Sequence, residues 1–374
     1  MKLIYFSDSA IPSRSPNSIH VMKMCQAFAN SKDNIEVILY GKTTKACFKN
    51  IKDIYSYYNV TSNFKLKIIP KFSFYGSGLF YNLVIPFFVI FSRADIFYCR
   101  SIIAAFFGVV FKKNVVFEMH EPFLMKGFRL EFMFKTIIES KSLNKLVVIS
   151  EALKTYTESN YNIDKLKIIV AHDGADPIDF DNANKINFKN FSVGYVGSLY
   201  EGKGMEIIAD LSFRMPNVDF HIVGGLPTQI AEWQTKLGKC SNIFFHGFKK
   251  QNEIASYLLS FDILIAPYLN EVLVSKKKGA NNLALWMSPL KLFEYMSAGK
   301  PILTSNLPVI KEILTHNETA FLCDPSVIDD WGDSIEWIKQ NPKDSAKISL
   351  KAFEKFSSKY TWAKRAEHLI HKLG

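Results

Sequence analysis

The stretch Ser288-Pro289-Leu290-Lys291-Leu292-Phe293-Glu294-Tyr295-Met296-Ser297-Ala298-Gly299-Lys300-Pro301-Ile302 decides how this chain folds. Ser288 reads as an N-cap and Pro289 as the first residue of a helix. The helix runs about three turns and stops at Gly299, with Pro301 just beyond. Pro301 to Leu303 then reads as a strand. A helix that starts in a loop presents unpaired N–H groups and a partial positive charge, which suits a phosphate. Glu294 sits about a turn and a half inside, among mostly apolar neighbours (Leu290, Leu292, Phe293, Met296). It is either a solvated surface charge or an acceptor for hydroxyl groups, and the helix alone leaves both readings open.

Working outward, strand and helix patterns alternate. Strand-like runs lie at 2–6, 36–40, 96–99, 115–118, 146–149 and 167–170, with helix-like stretches at 18–30, 101–111, 129–142 and 151–159. The alternation pauses after Ala171, where Asp173-Gly174-Ala175-Asp176-Pro177 and the polar run Asp181 to Asn190 read as a linker. It resumes as strand 192–196, helix 203–214, strand 219–223, helix 227–237, strand 243–246, helix 251–260 and strand 263–266. This pattern gives parallel sheets with helices on both faces. The expected class is α/β, with two doubly wound, Rossmann-like domains facing a cleft. A length of 374 residues also asks for more than one core. Ligands of such sheets sit beyond the C-terminal strand ends. The last stretch, Lys359 to Ile370, is apolar at 362, 366, 369 and 370 and reads as an amphipathic helix.

Hydrophobic content of 48% against 22% charged excludes a disordered chain. Cys25, Cys47, Cys99, Cys240 and Cys323 are scattered, with no C-x-x-C, which argues against a zinc site or a disulfide framework. They read as isolated thiols in a reducing compartment. The start, Met1 to Asp8, reads as a buried strand rather than a signal peptide, so a cytoplasmic protein is expected.

Charge is unevenly placed. Residues 1–170 hold 23 Lys and Arg against 12 Asp and Glu, whereas 171–374 hold 23 of each, so the whole +11 lies in the first half. That half is expected to meet an anionic partner, either a membrane surface or a lipid-phosphate acceptor. Nucleic acid is not expected, because the basic residues form no binding motif. The apolar stretch Leu79 to Phe91 is too short to span a bilayer, and Asn82 and Pro86 interrupt it. It reads as a buried helix, or as an interfacial one, since Lys65, Lys67, Lys71, Arg93 and Arg100 flank it.

A second phosphate-friendly loop lies in Gly194-Tyr195-Val196-Gly197-Ser198-Leu199-Tyr200-Glu201-Gly202-Lys203-Gly204-Met205-Glu206. A strand ends at Gly197 and a helix starts near Lys203. The glycines let the backbone approach a ligand, and Lys203 at a helix start is a phosphate ligand candidate. The loop is neither a P-loop nor G-x-G-x-x-G, and an ordinary glycine-rich turn is its plain alternative. With the start at Ser288-Pro289, two such helix ends fit a diphosphate, and Glu294 fits paired ribose hydroxyls.

In the first half, Phe117-Glu118-Met119-His120-Glu121-Pro122 follows a strand at its cleft-facing end. Glu118 and Glu121 are candidate hydroxyl ligands. Asn17, His20 and Arg100 (in Tyr98-Cys99-Arg100-Ser101) also stand at loop or strand-end positions, as candidate acceptor or sugar contacts. Lys276-Lys277-Lys278-Gly279 reads as a solvated loop able to close over a ligand.

Together, Gly194–Gly204, Phe220–Gly225, Asn242–Phe248, Asp262–Tyr268 and Ser288–Met296, with Val148–Leu153 and Asp173–Asp176, resemble the family 4 glycosyltransferases of GT-B fold. The resemblance covers nearly the whole second half. It implies a retaining, metal-independent, hexosyltransferase-type enzyme of bacterial glycan assembly. Its co-substrate is a nucleotide-diphosphate sugar of unspecified base, with no further cofactor. The acceptor is a glycan; the basic first half adds the expectation of a lipid-linked one, met from the cytoplasm at the inner face of the plasma membrane. The implied domains are 1–170 on the acceptor side, with 359–374 packing back on it, and 190–358 for the donor. The implied catalytic residues are His120, Lys203 and Glu294. Lys203 holds the diphosphate with Gly197, Ser198, Ser288 and Leu290 around it, Glu294 holds the ribose, and Phe248 borders the base. His120 matches a family histidine near the reacting sugar.

The chain also departs from the family. Trp286 stands where a first glutamate is common, Ser198 where a loop arginine is, and Pro12 to Ser18 replace a glycine-rich loop, with Asn17 or Ser18 expected to cap the helix containing His20. Two other readings remain at this point. One is a nucleotide-sugar epimerase on a similar scaffold. The other is a non-catalytic partner that binds nucleotide or membrane.

Overall fold

The structure is a computed structural model. It describes residues 1–43, 53–69, 77–123, 126–181, 183–273 and 281–373, and only the backbone of 77–82. Lys276 to Gly279, Lys71 and Cys47 lie outside the described residues. The chain divides into two compact units: Met1–Asp173 with Trp362–Gly374, and Gly174–Thr361.

The first unit is built on strands β1 (Lys2–Ala10), β2 (Glu36–Lys42), β3 (Lys65–Ile69), β4 (Ile96–Cys99), β5 (Val115–Met119), β6 (Leu143–Val148) and β7 (Ile168–Val170). Its helices are α1 (Pro16–Ala29), α2 (Ile54–Tyr57), α3 (Ser77–Phe91), α4 (Ile102–Val110), α5 (Phe128–Glu139) and α6 (Glu151–Asn160), joined by the chain's closing helix α14 (Trp362–Leu373). All strands are parallel, in the order β3-β2-β1-β4-β5-β6-β7. Leu3-Ile4-Tyr5-Phe6 and Ile96-Phe97-Tyr98-Cys99 are unbroken buried runs because helices cover both faces of the sheet. They pair in register, Tyr5 opposite Tyr98. The order of connection reverses between β1 and β4, which opens a switch point at their C-terminal ends. Helices α1 and α14 are neighbours, while α3, α4 and α5 lie side by side, on the opposite face by the right-handed crossover rule.

Two local expectations change. The cap of α1 is Ser15, whose side chain accepts the Asn17 N–H, not Asn17 or Ser18. The fixed φ of Pro16 suits the first helical position, so the cap falls on the residue before it. Helix α3 is not wholly buried. Ile85 and Val89 face inward, while Leu83, Phe87, Ile90 and Phe91 are exposed.

The second unit holds β8 (Ser192–Val196), β9 (Asp219–Val223), β10 (Ile243–Gly247), β11 (Ile263–Ala266), β12 (Ile302–Ser305) and β13 (Phe321–Cys323), parallel in the order β10-β9-β8-β11-β12-β13. Around them lie α7 (Met205–Arg214), α8 (Pro227–Leu237), α9 (Gln251–Ser260), α10 (Leu290–Ser297), α11 (Pro308–Lys311), α12 (Ile328–Gln340) and α13 (Pro342–Lys359). Its switch point is between β8 and β11. They pair only at Val193–Ile263 and Gly194–Leu264. Beyond that the Tyr295 hydroxyl of α10 bridges them, accepting the Val196 N–H at 2.8 Å and donating to the Ile265 carbonyl at 3.2 Å. Helix α10 starts at Leu290 with Pro289 as its N-cap, one residue later than expected. Gly299, at φ +61°, ends it.

Among the described residues no helix is long and apolar enough to cross a membrane.

Candidate functional site

In the second unit, chemistry gathers at the C-terminal ends of β8 and β11. The loop after β8 is laid tightly against the segment after β11. A Cβ at Gly202 (φ +82°) would stand 2.0 Å from the Glu271 carbonyl oxygen, and one at Gly204 (φ +88°) 1.8 Å from that of Pro267. Only glycine fits either place. This seating puts the Lys203 ammonium 4.9 Å from the centre of the Tyr268 ring. The Lys291 ammonium, from the first turn of α10, lies 5.2 Å from the same ring and 3.7 Å from that of Tyr195. A side chain at Gly197 would press on it, at 2.8 Å from Nζ. The Tyr195 hydroxyl is fixed by donating to the Ser198 carbonyl at 2.6 Å.

Burial sets the electrostatics here. It pushes Lys203 down to about 8. Lys291 is pushed well below the usual lysine range, by burial first and by the neighbouring Lys203 charge second, with Glu294 only partly opposing. The Lys291 ammonium is buried and has no hydrogen-bond partner among the described residues. Two desolvated cations facing one aromatic ring form a place for a doubly charged anion. Glu294 lies one turn further along α10 on the same side as Lys291. Its carboxylate accepts from the Gln251 amide at 3.2 Å. Pro289 gives α10 no side-chain cap, so positive potential at its start is added to the two ammoniums. Ser288 is buried, Leu290 half-buried, and Phe248 exposed just past β10. Trp286 follows a short 3-10 turn, Leu283–Leu285, and is half-buried.

In the first unit the centre is Glu118, on β5 and 2% exposed. Its Oε1 meets His120 Nε2 at 2.6 Å, His20 Nε2 at 3.0 Å, an Arg365 NH2 at 3.2 Å and Arg100 Nε at 3.9 Å. Its Oε2 accepts from the Tyr98 hydroxyl. His20 Nδ1 in turn meets Asp173 Oδ1 at 2.9 Å. Arg365, reaching in from α14, also donates to the carbonyls of His172 and Ala171. Burial opposes the Glu118 charge, but Arg365 and His20 outweigh it and hold the carboxyl well below its usual range. His120, with a quarter of its side chain exposed, is pushed down to about 4 by burial and by Arg100. It is therefore neutral at ordinary pH. The Glu118 carboxylate can only accept, so His120 carries its proton on Nε2 and keeps a lone pair on Nδ1.

Glu118 and His20 are interior groups engaged with partners, His120 among those of Glu118. Arg100 is mostly buried too, its NH1 donating to the Asn17 carbonyl at 3.5 Å. Asn17 is exposed, and Glu121 is half-buried and paired with Lys126. His20, Glu118 and His120 offer three ligand atoms within 4.8 Å of one another. The two guanidinium groups beside Glu118 make the cluster an ion-pair hub as well.

The sequence reading missed Lys291, Tyr268, Arg365 and the pairing of Asp173 with His20. Lys291 left one signal: a lysine three residues before Glu294 in an otherwise apolar turn.

Residues 178–355 match the family model of glycosyl transferases group 1. An uncharacterized glycosyltransferase of Haemophilus influenzae is 24% identical over 239 residues, covering 62% of this chain and 61% of that protein. A Bacillus subtilis protein, TuaH, named for a glycosyltransferase role in teichuronic acid biosynthesis, is 29% identical over 116 residues, 31% of this chain and 27% of its own. The chain thus spans less than two thirds of the length of either relative. Among solved structures, Anabaena HepE in complex with UDP and glucose superposes with a TM-score of 0.71 at 17% identity, covering 100% of this chain and 99% of that one. This likeness shows the fold, which is GT-B.

Proposed function

With residues 178–355 matching the glycosyl transferases group 1 and the chain folded as a GT-B protein, we propose that it transfers a hexose from a nucleotide-diphosphate sugar to a glycan acceptor. The observation that carries this reading is the pair of ammoniums, half-buried Lys203 and buried Lys291, facing Tyr268 with Glu294 a turn away. The diphosphate answers the two cations, and the ribose hydroxyls answer Glu294. Phe248, exposed beyond β10, borders the base. In the transfer, the bond from the sugar's anomeric carbon to the diphosphate breaks and a bond to an acceptor oxygen forms. The electron pair leaves with the diphosphate, whose oxygen takes up the acceptor hydroxyl's proton, and the two cations and the start of α10 stabilise the growing charge. Lys291 stands in for the loop arginine replaced by Ser198. In the first unit His120, held by Glu118, keeps an Nδ1 lone pair able to accept from a hydroxyl. Retention of anomeric configuration and independence of metal follow the family resemblance. A lipid-linked acceptor, in surface polysaccharide assembly, fits the basic first unit and the role for which TuaH is named.

The test is turnover. Purified protein is incubated with UDP-, GDP- or ADP-hexose and a lipid-linked glycan fraction, and both nucleotide diphosphate and lengthened glycan are measured. Acceptor-dependent release of one diphosphate, abolished by Lys203→Ala, is the expected result. Release of free sugar without acceptor would instead favour the epimerase-type reaction.

A further inference from the structure

The outer face of the α3–α4–α5 layer is unusual for a soluble surface. Along α3, Leu83, Phe87 and Phe91 form a stripe at i, i+4, i+8, with Phe87 61% and Phe91 79% exposed. Val110 and Phe111 at the end of α4 are exposed as well, and on α5 Phe128 and Phe132 repeat the i, i+4 spacing at 83% and 55% exposure. Phe106 and Phe132 are in ring contact, 6.4 Å between centres, which joins the two outer helices through α4. The Lys113 ammonium ties the end of α4 to that of α3 by donating to the carbonyls of Ile90 and Ser92, both at 3.2 Å. Large aromatic side chains contiguous over neighbouring helices mark an interaction surface.

Charge says what covers it. Helices α3 and α4 contain no charged residue. Cations stand at the margins instead: Arg93 and Lys112 exposed at one end, and Arg129 at the other beside Lys126, which is paired with Glu121. Beside Phe91 and Phe88 opens a cavity of about 340 Å³ that Lys2, Lys67 and Arg93 also line. An apolar middle with a basic rim matches a bilayer surface, with aromatic rings at the acyl boundary and cations among phosphate headgroups.

We infer that this face of the first unit docks onto an anionic membrane, with Phe87 and Phe91 entering the lipid and the Lys2–Lys67–Arg93 cavity receiving a headgroup phosphate. This goes beyond the proposed function and is independent of its donor site. The face commits to lipid rather than to a second copy of the chain, because two such faces would bring two basic rims together.

Co-sedimentation of the full chain with phosphatidylglycerol–phosphatidylcholine vesicles, about one third anionic, tests it. The wild type is expected to pellet, and to do so less with phosphatidylcholine alone. The double variant Phe87→Glu, Phe91→Glu should lose about tenfold or more in partitioning. Arg93→Glu should lose the preference for anionic lipid. Phe213→Glu, an exposed apolar residue of the second unit, should change nothing. Both α3 positions are exposed, so the variants should melt like the wild type. Failure of the wild type to pellet, or unchanged binding by the double variant, overturns the inference. So does a wild-type dimer that the double variant converts to monomer, since a second copy then covers the face. UDP binding measured on the same proteins separates this failure from failure of the donor site.

Discussion

An ammonium group shielded from water without an ion-paired carboxylate holds its proton less firmly than one in bulk water, and half-buried Lys203 and buried Lys291 are two such groups at one ring. A bound diphosphate reverses this, because its charge favours both protons. Replacing either lysine by methionine keeps the packing and removes the charge. Each change is expected to weaken nucleotide diphosphate binding by about 2 kcal/mol, roughly thirtyfold, as read by titration calorimetry. The pH dependence follows the same logic. Lys203 titrates near 8 in the empty protein, so above that pH binding must take up a proton. Affinity is expected to fall as pH rises from about 8 to about 9.5, with proton uptake measurable in buffers of different ionisation enthalpy. The stability of the empty protein runs the other way. The unfolded chain keeps its lysine protons to about 10.5, so this group's contribution to stability rises with pH between about 8 and that value. Lys203 and Glu294 could be picked out from sequence because each sits in a local pattern, a glycine loop or a capped helix. Lys291 could not, because its burial depends on Tyr195 and Tyr268, which come from separate parts of the chain.

Among the elements, α10 does two things at once. Its first turn presents Lys291, and its Tyr295 hydroxyl spans β8 and β11 where their ladder has parted. Tyr295→Phe leaves the ring in place and strands the buried Val196 N–H. A loss of about 2 kcal/mol is expected in urea unfolding of the second unit. Strands β8, β9 and β11 were legible to the residue, because central parallel strands are short apolar runs bounded by turn residues. Strand β3 was not, since Lys65-Leu66-Lys67 on a sheet edge alternates charge with one apolar residue. Nor was β13, at only three residues. The closing helix was expected from Lys359, but the chain breaks at Tyr360-Thr361, where Thr361 bridges to Ala175, and α14 begins only at Trp362.

Over the molecule as a whole, the first unit is discontinuous in sequence. Residues 1–173 are completed by the last helix, whose Arg365 meets the buried Glu118. Glu118→Gln leaves that guanidinium without its counter-charge and should destabilise the first unit by about 3 kcal/mol, while the unfolding of the second unit stays unchanged. Acid acts on the same hub. His120 is neutral in the folded unit down to about pH 4 but takes up a proton near pH 6.5 when unfolded. Stability is therefore fully present above about 6.5 and lost as pH falls toward 4, and protonation of Glu118 continues the loss below that. Calorimetric scans between pH 7 and about 4.5 should show the first unit's transition moving down more than the second's. The alternation of strands and helices made the two-unit plan legible, whereas the hub was legible only in its members His20, Arg100, Glu118 and His120 and not as a cluster, since Arg365 lies 345 positions from His20.

The most direct test of the central claim is a thermal-shift screen of UDP, GDP, ADP and CMP against the wild type, Lys203→Met, Lys291→Met and Glu294→Ala. A ligand that binds only the native state raises the melting temperature. The account predicts a shift with one nucleoside diphosphate, none with the monophosphate, and loss of the shift in both lysine variants. A shift that persists in both lysine variants, or none with any diphosphate, would contradict it.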